Sequence, residues 1–124
     1  MGQFQGVPGP SQDDFNTLNS NIVQFIPSKL INDDTAKTNR TINMPNNARL
    51  FIIGQDSDPN YRFVVLVSTN SSGSPSVTEI IKGNYITFDG TTANKLKITT
   101  STSKGLDYMI FATKASMIAN ISLT

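Results

Sequence analysis

The chain contains no cysteine and no histidine, and each absence removes a class of chemistry. Without cysteine there is no disulfide, no thiolate nucleophile and no zinc-thiolate site. Without histidine the commonest general base and the commonest transition-metal ligand are both missing, which excludes most nucleophilic triads and most zinc chemistry. Charge is scarce as well. Ten basic and nine acidic residues leave a net charge of +1 and make up 15% of the chain, where about a quarter is usual. No strong field favours nucleic acid or an anionic membrane, so neither partner is expected. No apolar run reaches transmembrane length, and Met1-Gly2-Gln3-Phe4-Gln5-Gly6 lacks the basic and apolar regions of a signal peptide.

What is abundant is hydroxyl and amide: 13 Ser, 14 Thr and 13 Asn among 124 residues must form much of the surface. The length suits one core. Residues 1–10 are a Gly/Pro-rich leader, and Gly6 to Ser11 reads as two Gly-X-Y triplets, too few to hold a collagen helix. Ser11 is a helix cap, and Asp13 and Asp14 complement the dipole of the first turn. The helix runs over 11–26 and ends ahead of Pro27. Its apolar residues Phe15, Leu18, Ile22 and Phe25 follow the 3-4-3 spacing of a coiled-coil seam and are assigned to an oligomer interface. The same spacing also fits a helix docked on its own domain.

Residues 27–40 read as a linker and 41–124 as the head domain. Strand-like segments fall near Thr41–Met44, Arg49–Gly54, Tyr61–Ser68, Val77–Lys82, Tyr85–Phe88, Lys95–Thr100, Asp107–Lys114 and Met117–Leu123, separated by turn-rich pieces. Short strands with close turns and no crossover helices predict a mainly β fold, an antiparallel sandwich or jelly-roll-like head behind a short coiled-coil-like helix. Three segments are apolar on both faces: Leu50 to Ile53, Phe63 to Val67 and Tyr108 to Ala112. One face of each would normally meet water, so the second needs a cover, which favours an oligomer.

Asp56-Ser57-Asp58-Pro59-Asn60 opens like a calcium loop, but Tyr61 stands where an EF-hand needs glycine and Val67 where it needs a bidentate carboxylate. No metal and no cofactor are expected. Glu79, Asp89 and Asp107 are the candidates for a glycosidase pair, and no spacing selects two of them, so the chain is expected not to be an enzyme. Gly83, Gly90 and Gly105 are isolated and form no phosphate loop. Tyr61 and Tyr85 stand at strand starts beside polar loops, where a ring can cover the face of a sugar while carboxylates and amides bond its hydroxyls. Asp56, Asp58, Asn60, Tyr61 and Tyr85 are therefore the candidate ligand-binding set.

Taken in order, the Gly-Pro leader, the Ser-Gln-Asp-Asp-Phe-Asn-Thr-Leu-Asn-Ser-Asn-Ile helix, and Thr41-Ile42-Asn43-Met44-Pro45 leading into Ala48 to Gly54 resemble the C-terminal head or tip of phage tail-fibre and receptor-binding proteins. The resemblance covers the whole chain and is one of architecture and composition. It implies a virion protein, a homotrimer with a short helical stalk, whose head adheres to a host surface saccharide or protein and contacts other virion proteins. The alternatives are a purely structural virion part, such as a capsid head fibre or baseplate component, and a glycan hydrolase.

Overall fold

The computed structural model describes residues 12–14, 16 and 26–124. Residues 12–14 and 16 are helical, with Gln12 Nε2 donating to Asn16 Oδ1 at 2.9 Å. Phe15, Leu18, Ile22 and Phe25, the expected oligomer seam, lie outside the described residues.

The elements that follow are β1 (Ser28–Asn43), β2 (Arg49–Gln55), a 3-10 turn (Pro59–Tyr61), β3 (Phe63–Thr69), β4 (Pro75–Lys82), β5 (Ile86–Asp89), β6 (Lys95–Ala112), α1 (Ala115–Ile118) and β7 (Ser122–Leu123). All pairings are antiparallel, in the order β4-β3-β2-β6-β1-β7, with β5 also on β6. The mainly β antiparallel fold is as the sequence predicts. Three local readings are corrected.

First, residues 28–40 are not a linker but most of β1, a 16-residue strand. Its polar composition hides a period of two, in which Lys29, Ile31 and Asp33 turn inward while Ser28, Leu30 and Asn32 are exposed. Second, the expected strands Lys95–Thr100 and Asp107–Lys114 are one 18-residue strand, β6, because its central Ser101 to Gly105 stays extended where a turn was read. Third, the expected strand Met117–Leu123 is α1 followed by β7; Asn120 Nδ2 donates to Ser116 O at 2.9 Å, a local bond that competes with extended geometry.

The two long strands turn one sheet into a sandwich. The first half of β1 pairs with the second half of β6, Ser28 to Asp33 against Leu106 to Phe111. The second half of β1 pairs with the first half of β6, Asn39 to Asn43 against Lys95 to Thr99. Between them the register slips at Asp33/Lys37 and Lys37/Asn39, and there the ribbon bends. Layer one comprises β4, β3, β2 and the near halves of β6 and β1. Layer two comprises β5, the far halves of β6 and β1, and β7. Strands that pass between layers through bulges are how packed sheets make corners.

The core lies between the layers. Leu50, Ile52, Phe63, Val65, Val67, Leu106, Tyr108 and Ile110 come from layer one, and Ile42, Ile86, Leu96 and Ile98 from layer two. Each buried large aliphatic contributes about 1.5–3 kcal/mol. Phe63 of β3 meets Phe88 of β5 edge-on across the interlayer space, centroids 4.9 Å apart. A Cβ on Gly54 would overlap the Phe63 ring that lies across it from the paired strand, so only glycine fits opposite this aromatic.

Arg40 holds the bend. Its side chain is buried, and Nη2 donates to Lys37 O at 2.6 Å and to Lys104 O, one carbonyl from each bent strand. Asp33, also buried, faces it at 3.7 Å and takes Lys37 Nζ at 3.4 Å. Removing one partner of a buried ion pair leaves the other uncompensated, so Arg40→Met is expected to cost about 3 kcal/mol in urea unfolding. Adding Asp33→Asn should recover part of that loss, and an Arg40→Met variant as stable as the parent would show that the corner does not depend on this pair.

Candidate functional site

Two neighbouring surfaces meet at Asp56. One is the loop between β2 and β3, whose shape follows from its own side chains. Asp56 Oδ2 accepts from Asp58 N at 3.0 Å, an Asx turn. Asp58 caps the 3-10 turn, its Oδ1 accepting from Asn60 N at 2.9 Å and Asn60 Nδ2 at 3.0 Å, with Pro59 supplying a fixed φ at the first position. Arg62 reaches back to Asp56 O at 2.8 Å and Ser57 O at 3.0 Å. The loop is thereby fixed before any ligand arrives.

Tyr61 does not offer its ring to solvent as the sequence suggests. It is buried, its hydroxyl is 2.6 Å from Thr102 Oγ1, and its ring supports Tyr85 at 5.6 Å between centroids. Tyr85 is 47% exposed and is the aromatic face available here. Asn84 Nδ2 donates to Asn60 Oδ1 at 3.2 Å, and Tyr85 N to Asn60 O at 3.1 Å, so amides and ring form one rigid platform. Of the five expected residues the fold therefore gathers all five, with Asp58 and Tyr61 in structural positions and Tyr85 at the surface.

The second surface is a polar cleft of about 470 Å3, lined by Asp33, Asp34, Gln55, Asp56, Ser57, Gly105 and Asp107. It opens where β1 and β6 bend. A Cβ on Gly105 would press on the backbone of Asp33 and Asp34, so glycine is required for the two strands to come this close. Lys104 connects cleft and platform: its Nζ lies 3.3 Å from Asp56 Oδ2 and 4.9 Å above the Tyr61 ring.

The four carboxylates of the cleft are not equivalent. Asp33 is committed to Arg40 and Lys37, and Asp56 to Lys104 and the Asp58 amide. Asp34 and Asp107 are exposed and make no hydrogen bond or ion pair among the described residues. Burial works against ionisation of Asp56, yet the Asp58 amide and Lys104 outweigh it and hold its carboxyl below the ordinary 3.8. Burial also pushes the Tyr108 phenol up, against the pull of Arg40. The Tyr108 hydroxyl is buried without a hydrogen-bond partner among the described residues.

Asp33, Asp34, Gln55 and Ser57 escaped the sequence reading because the first two sat in the supposed linker. An Asp-Asp pair followed by Lys37 and Arg40 was the available signal. Glu79, Asp89 and Asp107 do not converge: Glu79 pairs with Val65 on edge strand β4, Asp89 with Lys97 in layer two, and Asp107 with Gln55 and Asn32. Among the described residues no group of acidic side chains is arranged to hold a metal ion, and no helix is long and apolar enough to cross a membrane.

The fold is that of an antiparallel β domain bent into two layers. No family model matches the chain, and no curated protein matches it. Among solved structures it is similar to the tailspike protein gp49 of Acinetobacter baumannii bacteriophage Fri1, a capsular polysaccharide depolymerase, with 13% sequence identity and a TM-score of 0.50. The match covers 78% of this chain and 18% of the tailspike chain. At that identity the likeness is one of fold. It nevertheless corrects the expectation that this is not an enzyme, because the protein with the similar fold is one. Lack of histidine does not bar carboxylate chemistry.

The Asp56 carboxyl gives a direct check on the site. Its folded value is depressed, so the stabilisation it provides is present above the ordinary 3.8 and is lost as pH falls through the folded value. Lys104→Met is expected to move the Asp56 titration, followed by carbon-detected NMR, up toward 3.8. An unmoved titration would mean that the Asp58 amide alone sets it.

Proposed function

We propose that this chain is a domain of a phage tail fibre or tailspike, carried on the virion, that engages host surface polysaccharide at the corner cleft and the Tyr85 platform. The observation that carries this reading is the pair of uncommitted carboxylates, Asp34 and Asp107, in a preformed cleft beside a rigidly backed, half-exposed tyrosine. Carboxylates and amides accept and donate to sugar hydroxyls, and a tyrosine face covers the apolar side of a pyranose. A surface rich in Ser, Thr and Asn keeps such an adhesive domain hydrated without a large net charge. The fold shared with part of a phage tailspike supports the same reading.

Each site is shallow and wet, so affinity per copy is low and several copies on one fibre supply avidity. A homotrimer is the expected assembly. Cleavage of the bound glycan is the second reading, favoured by four carboxylates lining a single cleft.

Binding of the full chain to a glycan array, followed by titration of the strongest ligand, tests the proposal. Tyr85→Ala and the double change Asp34→Asn with Asp107→Asn should each weaken binding at least about tenfold, near 1.4 kcal/mol. Because Asp34 and Asp107 make no side-chain hydrogen bond or ion pair among the described residues and Tyr85 contributes only its ring contact with Tyr61, thermal unfolding should move by no more than about 2 °C. Chromatography of the polysaccharide after incubation reports whether its chains shorten. Absence of saturable binding by the parent chain would remove the glycan reading and leave a structural virion part.

A further inference from the structure

The outer face of layer one continues into the corner cleft. Its register sets residues in rows that cross the strands, and outward neighbours along one strand are two residues, about 6.6 Å, apart. One row is Asn32 of β1, Asp107 of β6 and Gln55 of β2, and the last two line the cleft. All three side chains are exposed and make no hydrogen bond or ion pair among the described residues. The next row on the same strands is Leu30, Met109 and Ile53. Leu30 is 65% exposed and Met109 42%. On layer two the outward row across β5, β6 and β1 is Asp89, Lys97 and Thr41, the ordinary polar exterior of a sheet, so apolar outward rows are not general to this domain.

We propose that the sugar held at the cleft carries an acyl group, which lies across the boundary between these rows with its carbonyl on the polar row and its methyl on the apolar one. The inference rests on the glycan reading and adds to it the substituent that the site selects. Gln55 Nε2 and Asn32 Nδ2 are donors with no acceptor among the described residues, and an acyl carbonyl is an acceptor that brings no donor. Asp107 stands between them and only accepts, so it takes a sugar hydroxyl or the N–H of an amide-linked acyl group. An unsubstituted sugar would lay hydroxyls against Leu30, Met109 and Ile53, where they lose water and gain no bond. A methyl in the same place removes apolar surface from water on both sides. Methionine suits that contact, because its unbranched thioether adapts to a small apolar group.

An array of matched polysaccharides tests this with the full chain. Each O-acetylated glycan is printed beside its alkali-deacetylated form, and each N-acetylated glycan beside its N-formylated form, so that no pair differs in charge. Among the glycans it binds, the parent chain should favour the acetylated member of each pair by at least about fourfold, near 0.8 kcal/mol, the contribution of one buried methyl-sized group. Met109→Gln combined with Leu30→Thr, both at exposed positions, should bring the members of a pair within about twofold by weakening binding of the acetylated one. Gln55→Glu replaces the carbonyl's donor with a second acceptor and should lower the preference in the O-acetyl pairs while the apolar row stays intact. The β circular-dichroism signal should persist in both variants. Equal binding of paired glycans by the parent, or a preference that survives both variants, would overturn the inference and leave the glycan reading standing. Absence of saturable binding to every glycan would remove that reading and this inference with it.

Discussion

The fold depends on one buried guanidinium. A sheet that doubles back must break its ladder at the bend, and the carbonyls freed there need other donors. At this bend Lys37 O and Lys104 O, one from each long strand, converge on Arg40 Nη2. Arginine suits the position because its Nη2 can donate to both carbonyls at once and the group stays charged when buried. The charge it brings inside then requires an acid, and Asp33 is that acid. Two strands of 16 and 18 residues can therefore serve both layers, and a chain with a small core closes without a disulfide.

The same bend makes the cleft. Where β1 and β6 change layers they leave a polar hollow, and Gly105 lets their backbones approach closely enough to shape its floor. Lys104 uses its carbonyl to satisfy Arg40 and its ammonium to hold Asp56 and cover Tyr61. A single residue thus couples the structural corner to the candidate binding surface. The loop that carries Asp56 is fixed by its own Asx turn and 3-10 cap, so little ordering remains to oppose ligand binding.

Much of this was legible from the residues, and what was missed has physical causes. The alternation of Leu96 and Ile98 with Lys95 and Lys97, and the two-faced segments of β2, β3 and β6, gave strands and apolar outer positions where the structure has them. The first half of β1 was hidden because its inward residues include Lys29, whose partner Ile121 O is 92 residues away, and Asp33, whose charge reads as solvent-facing until Lys37 and Arg40 of the same strand fold against it at the bend. A polar residue whose partner is distant in sequence looks like a loop residue. The continuity of β6 was masked by Ser101-Thr102-Ser103-Lys104-Gly105, which has turn composition but is held extended by pairing and by Thr100 Oγ1 on Thr102 O at 2.7 Å. Tyr61 was placed at the right loop with the wrong exposure, since its burial depends on Thr102, 41 residues away.

Charge placement separates acids with structural duties from acids without them. Four of the nine acidic residues line one cleft in a chain that is otherwise poor in charge. Two of them have structural duties, Asp33 at the corner and Asp56 in the loop. Asp34 and Asp107 have none among the described residues. Fold stability gives no reason to keep them there. On the glycan reading proposed above, a ligand rich in hydroxyl donors would give one, because each carboxylate can accept from such a ligand without losing a bond that the domain needs.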